Sequence, residues 1–283
     1  MMVSHPVQRY RAPGSIQTGV PLKWIIDDSL VDLIAESIET VYSKINTQRF
    51  SRAAKASLDT LELKARASHI ADAIQAELPK DFEQTARILI QSMGPELEGT
   101  QDNGLQPFFY LPHAELIGRF GSTHFQAGMQ ANYELTKRFT AEFSIRTYIA
   151  EQRDKSLCLL EKWTKDPNPH VRRLVSEGSR PRLPWAMRLK EIDANPALTL
   201  PLLEKLKDDP ERYVRRSVAN HLGDIGKAHL NVLLETCERW LDESQSMQDP
   251  TSAKNRRWVI RHALRHPAKK GESGARLLRE KAT

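Results

Sequence analysis

The chain has 283 residues, 40% of them hydrophobic and 28% charged, a balance that suits one large or two ordinary folded domains and excludes a chain disordered beyond its ends. No window approaches the roughly 18 to 20 uninterrupted apolar residues of a membrane-spanning helix, and the first thirty residues lack a basic segment followed by an apolar core, so a protein working in the cytoplasm is expected. The net charge of +6 is uneven: residues 1–140 hold 14 Lys+Arg against 16 Asp+Glu, whereas residues 141–283 hold 28 against 20, which places a basic partner site in the second half and raises the case for a polyanion.

Residues 1–20 contain Pro6, Pro13, Gly14 and Gly19 among scattered polar residues without periodicity, and read as a flexible lead-in. From Ser29, which reads as a helix cap, Val31, Ile34, Ile38, Val41 and Ile45 fall at spacings of three and four, one face of a helix. Similar patterns recur over 50–61, 66–78 and 82–93. Gly94-Pro95 then ends the helical pattern and opens a Gly/Asp/Asn-rich loop to about residue 105. Helices resume near 112 and continue almost to the end. With no alternating strand and no hairpin dipeptide between apolar runs, the predicted class is all-α. Cys158 and Cys237, the two cysteines, each stand alone on a helical segment and read as packing residues.

An internal repeat organises the second half. Residues 160–173, LEKWTKDPNPHVRR, align without gaps on residues 203–216, LEKLKDDPERYVRR, an offset of 43 that suits two helices joined by a tight turn, the HEAT pattern. Asp166-Pro167 and Asp209-Pro210 end one helix, because the residue before proline resists the α region, and the valine and arginine pair that follow open the next. A third copy places Asn255-Arg256-Arg257 on Val214-Arg215-Arg216, and a fourth slides residues 172–177 back by 35 onto residues 137–142. The predicted fold is therefore a HEAT-like helical repeat solenoid whose second helices line a concave nucleic-acid-binding face.

Equivalent positions in such a stack form a ladder. Its basic rung is Lys137/Arg138, Arg172/Arg173, Arg215/Arg216 and Arg256/Arg257, which would meet successive phosphates of a duplex. HEAT helices also carry arginine here to pair with the aspartate of the neighbouring turn; four pairs in register favour phosphate. The next rung reads Glu142, Glu177, Asn220 and Arg261. Two carboxylates beside phosphate-attracting arginines are wrong for binding alone and suggest chemistry at a sugar, since cleaving an N-glycosidic bond develops positive charge that carboxylates stabilise. The same two glutamates also read as surface residues paired with local arginine. Between the repeats, Ser176-Glu177-Gly178-Ser179-Arg180-Pro181-Arg182-Leu183-Pro184-Trp185 ends one helix at Gly178 and is expected to start another at Pro184, presenting Trp185 either to the core or to a nucleotide.

These residues carry a resemblance. RFTAEFSIR at 138–146 and HVRRLVSEGSRPRLPW at 170–185 resemble the AlkC-type DNA alkylation repair glycosylases, as does LELKARASHIADAIQAELP at 61–79, and the likeness runs in order over about 21–270. It implies a monomeric enzyme that removes cationic N3-methylated bases, 3-methyladenine and 3-methylcytosine, from double-stranded DNA by hydrolysis, with no metal or other cofactor. It further implies that the sugar is approached without the usual extrusion of the base. By matched position, Glu142 and Glu177 would be the catalytic carboxylates, Trp185 the residue against the deoxyribose, and Arg173, Arg180 and Arg182 backbone contacts. The expected organisation is a lead-in (1–20), N-terminal helices (21–105), catalytic DNA-binding repeats (106–270) and a basic tail (271–283); some relatives continue into an immunoglobulin-like domain, so this chain is of the shorter type or truncated. The alternatives are a non-catalytic HEAT-repeat protein that recognises DNA structure, and a protein-binding scaffold. His113, His124, His170, His221 and His262 show no metal-ligand spacing.

Overall fold

The computed structural model describes residues 4–101 and 103–283, and among them every regular element is helical. The chain divides into two compact units, Met1–Glu151 and Gln152–Thr283, a boundary well beyond the loop near residue 105 at which the sequence pattern breaks. The first unit holds α1 (Asp28–Glu39), α2 (Thr47–Lys55), α3 (Leu63–Glu77), α4 (Phe82–Gln91), α5 (Leu111–Phe120), α6 (Phe125–Thr136) and α7 (Ile145–Glu151). The second holds α8 (Arg153–Trp163), α9 (Pro169–Gly178), α10 (Lys190–Ala194), α11 (Leu200–Leu206), α12 (Arg212–Ile225), α13 (Leu230–Gln245), α14 (Pro250–Ala263), α15 (Arg265–Lys269) and α16 (Ser273–Lys281).

In the first unit α3 packs on α5 and α5 on α7, while α4 packs on α6. The close approach of α6 to Tyr148 of α7 rests on Gly128, where a Cβ would fall 2.0 Å from the phenol oxygen, and the buried Tyr148 hydroxyl donates to the Ile117 carbonyl at 2.9 Å. In the expected lead-in, Val7 and Tyr10 are buried, whereas residues 14–20 are exposed. A short 3-10 turn, Pro6–Arg9, buries Val7, the Tyr10 hydroxyl donates to the Ile25 carbonyl, and Leu105 N donates to Pro13 O at 3.0 Å, so the segment supplies partners to the 92–106 stretch. Helix α1 is capped by Asp27, whose side chain accepts from Leu30 N at 2.9 Å, and ends at Glu39, six residues short of the periodic pattern.

The second unit shows the repeat directly. Pairs α8/α9, α11/α12 and α13/α14 stack so that α9 packs on α12 and α12 on α14. The expected basic tail is α16, which buries Ala275 and Leu278 and packs on α13 and α14. Cys237 is buried as expected, but Cys158 is exposed on the outer side of α8 and fills no core.

In three of the four ladder pairs the first arginine, Arg172, Arg215 or Arg256, is hydrogen-bonded within the protein. Arg172 Nη1 donates to the carbonyls of Asp166 (2.8 Å) and Pro167 (3.0 Å) in its own turn, while Nε and Nη2 donate to the Asp209 carboxylate of the next repeat at 2.6 and 3.1 Å. Arg215 repeats the motif on Asp209 O and Pro210 O and reaches Asn255 at 3.1 Å; Arg256 is buried between Asp208 and Glu243. The reason is the proline turn itself: chain reversal strands two carbonyls away from any helix, and only a guanidinium can satisfy both and a carboxylate at once. Lys137 and Arg138 are likewise held, Lys137 by Glu96 and Glu134 and Arg138 by Gly94 O and Glu134.

Arg172→Ala should therefore lower stability by about 3 kcal/mol, since Asp209, 3% exposed at its side chain, would stay buried without its partner. Urea unfolding measures it; an unchanged midpoint would show the pair to be energetically neutral.

Candidate active site and nucleic-acid interface

Glu177 lies in the last turn of α9, at the negative end of the helix dipole, where a carboxylate is poorly placed. It is 5% exposed. Its Oε1 accepts from Arg180 Nη1 at 2.6 Å and lies 3.7 Å from Arg173 Nη2, and its Oε2 accepts from Ser217 Oγ of α12 at 2.6 Å. Burial alone would push this carboxyl up; Arg173, Arg180 and Ser217 outweigh it and hold it below the ordinary range, so the group is ionised at neutral pH. Arg180 in turn donates from Nε to Asp224 Oδ2 at 2.7 Å, and Lys227 closes the chain on Asp224 Oδ1 at 2.7 Å. Behind this row His221 is buried between Ser176 O (2.9 Å) and Thr199 Oγ1 (3.2 Å); burial drops it to about 4, so it is neutral and its Nδ1 donates to the carbonyl. The arrangement fixes a full negative charge in space and forbids it to reorient.

The loop after α9 presents Trp185. It is closed at its base by Leu189 N donating to Pro181 O at 3.1 Å and by Asp193, which accepts from Arg182 Nε at 2.7 Å and from Arg188. Leu183 and Leu189 are buried beneath it. Ala186 N donates to Leu183 O at 3.3 Å across a turn with Pro184 second and Trp185 third, the place a type II turn ordinarily gives to glycine. Trp185 accordingly has φ +62° while remaining 65% exposed. Pro184 thus fixes a turn and does not begin a helix, which starts only at Lys190. A bulky residue held in the left-handed region at a cost of about 1–3 kcal/mol, with its ring in solvent, is strain of the kind found at functional positions.

The structure brings Glu177, Arg173 and Arg180 together, with Arg182 at the foot of the Trp185 loop. Arg180 donates to the carboxylates of Glu177 and Asp224, and Arg182 to that of Asp193. Arg173 is partly exposed, stacked 5.0 Å over the Tyr213 ring. Arg216 is exposed on α12 and Arg257 partly exposed on α14, the second members of their pairs. Glu142 belongs to the first unit and precedes α7, where Thr140 Oγ1 donates to its carboxylate at 2.9 Å and accepts from its backbone N–H at 3.2 Å. Residues 137–142 join α6 to α7, whereas 172–177 lie within α9, so the offset of 35 matches residue types without matching structure. Lys137 and Arg138 close a helix end, Phe139 packs on Phe108, and Thr140 begins the next turn. Asp224, Ser217 and Asp193 were missed, because single polar residues outside the repeat pattern carry no sequence signal. Among the described residues no helix is long and apolar enough to cross a membrane, and no group of three His, Cys, Asp or Glu could hold a metal ion.

No family model matches the chain. An uncharacterised protein of Bacillus subtilis (strain 168), YhaZ, is 31% identical over 262 residues, which is 90% of this chain and 66% of that protein. The solved structure of Pseudomonas fluorescens alkylpurine DNA glycosylase AlkC, bound to DNA containing an abasic site analogue, superposes on 92% of this chain and 68% of that one with a TM-score of 0.79 and 33% identity. The chain therefore spans just under two thirds of the Bacillus protein and little more of the Pseudomonas one. Identity at this level along nearly its whole length, on the same helical architecture, places the chain in the AlkC family.

Proposed function

We propose that the chain is a DNA glycosylase that excises cationic N3-alkylated bases, 3-methyladenine and 3-methylcytosine, from double-stranded DNA by hydrolysis of the N-glycosidic bond, the opening step of base excision repair. The observation that carries the reading is the ionised, immobilised carboxylate of Glu177 one loop away from the strained, exposed ring of Trp185. It is supported by the similarity to AlkC, whose structure holds DNA with an abasic site analogue.

In this reading the C1′–N bond breaks with its electron pair passing to the base, which leaves neutral because it was already cationic. Positive charge develops on C1′ and the ring oxygen, and a water oxygen adds to C1′ with loss of a proton to a carboxylate. A preorganised negative charge near the sugar stabilises that transition state and is worth most where water is excluded. Glu177 meets the requirement, and Glu142 is assigned the companion role. Trp185 packs against the deoxyribose, and Arg173, Arg216 and Arg257 take backbone phosphates. No step calls for a metal, a covalent enzyme intermediate or a second subunit, so the reading is of a monofunctional, metal-independent monomer acting on chromosomal DNA in the cytoplasm. One observation favours the second reading, a non-catalytic DNA-structure-binding protein: the Glu177 carboxylate is almost covered and fully hydrogen-bonded.

Incubation of the purified protein with methylated duplex DNA in EDTA should release 3-methyladenine; tight duplex binding without release would instead support the second reading. Glu177→Gln should lower release by about 10²–10³-fold with duplex affinity nearly unchanged and an unfolding penalty of about 1–3 kcal/mol. Glu142→Gln should also lower release, and wild-type rates in both variants would remove the catalytic assignment. Trp185→Gly should cut release by about tenfold while leaving the unfolding midpoint near that of the parent, because lost ring contact is paired with relief of backbone strain.

A further inference from the structure

The α8/α9 and α11/α12 repeats carry the same arginine but not the same counter-charge. Arg173 on α9 has Glu177 one turn on, and its repeat equivalent, Arg216 on α12, has Asn220. Arg212, Arg216 and Asn220 form a stripe at spacings of four along α12, and Arg212 and Arg216 make no hydrogen bond or ion pair among the described residues. Facing the stripe on α14, His262 stacks on Trp258 with ring centroids 4.9 Å apart and an interplanar angle of 16°, and Arg212 lies 5.0 Å over the Trp258 ring. Asn220 Oδ1 accepts from Arg265 Nη2 at 2.9 Å and lies 3.2 Å from His262 Nε2, while Arg265 Nη1 donates to His262 O.

The charges here are unbalanced. Burial first, and then Arg265, Arg216, His266 and Arg212, hold His262 down at about 4. Arg265 is lowered by burial and then by Arg180 and Arg216, with Asp224 alone opposing. Elsewhere in this unit most arginines are answered by a carboxylate, as Arg172, Arg180, Arg182 and Arg256 are. Folding that leaves like charges gathered around an aromatic floor costs stability unless an anion arrives.

We propose that Arg212, Arg216, His262 and Arg265 form a phosphodiester-binding site for one stretch of DNA backbone, with the Trp258–His262 stack as its floor. The inference rests on the reading of the chain as a DNA-binding enzyme, and it deepens that reading by adding to Arg216 three residues that the repeat pattern alone does not single out. The Glu177 to Asn220 exchange separates the two jobs: the α8/α9 repeat keeps its carboxylate for the sugar, and the α11/α12 repeat gives it up so that phosphate can approach.

The test is the salt dependence of binding to an undamaged duplex, for the full chain and for Arg212→Gln, Arg265→Gln and the double variant, with Arg239→Gln as control because Arg239 is already paired with Glu204 and Glu243. Each of the two site variants should reduce the slope of log affinity against log salt by about 1, and the double by about 2, with the loss alike across sequences and the slope of the control unchanged. Thermal midpoints should stay level or rise, since a repelling charge is removed. An unchanged slope, or a drop in midpoint that accounts for the loss of binding, would overturn the site while leaving the glycosylase reading in place. Failure of the parent chain to bind any duplex would overturn the functional reading and this site with it.

Discussion

The second unit is organised around Arg180, a guanidinium buried between the carboxylates of Glu177 and Asp224. Buried ions must be paired and hydrogen-bonded, and here one side chain answers two carboxylates from different helices. It joins the end of α9 to the end of α12, and it sits where the chain leaves α9 for the Trp185 loop. The geometry of the site follows from that constraint: Glu177 is aimed by Arg180 and Ser217, and the loop departs from a fixed point. A residue strained as Trp185 is can persist only on so rigid a base, which the Arg182 and Arg188 contacts to Asp193 complete.

The repeat uses neighbouring arginines for opposite ends. Consecutive residues on a helix point about 100° apart, so Arg172 and Arg215 turn back to their proline turns while Arg173 and Arg216 point another way. The one that turns back satisfies stranded carbonyls and ties a repeat to the next, as Arg172 does through Asp209. Of the second members, Arg216 is exposed on α12 and Arg257 partly exposed on α14. Arg172, Arg215 and Arg256, three of the eight ladder residues, thus tie one repeat to another.

The electrostatics favour a particular kind of ligand. The second unit holds an ionised carboxylate at the C-terminal end of α9 and, on α12 and α15, arginines with no carboxylate hydrogen-bonded to them among the described residues. An alkylated nucleotide presents the counterpart of both, a cationic base with developing charge on its sugar and anionic phosphates on either side. That pairing of opposite needs connects the AlkC-family scaffold to the proposed chemistry.

The amino-acid sequence by itself determined the helical class, the offset of 43 and the positions of Glu177 and Trp185, because these depend on local periodicity, proline turns and one distinctive segment. It also showed the basic character of the second half, where the unit from Gln152 on carries 27 Lys+Arg against 18 Asp+Glu. Only the tertiary structure decided which arginines were consumed as Arg172, Arg215 and Arg256 are, that Val7 and Tyr10 near the start of the chain were buried, and that Glu142 stood before a helix and not within one. The physical reason is common to all three: a charge, a proline or a glutamate has the same local pattern whether its partner is water, a ligand or a carbonyl thirty residues away. Asp224 makes the point most plainly, since nothing in its neighbours distinguishes it until α12 brings it against Arg180.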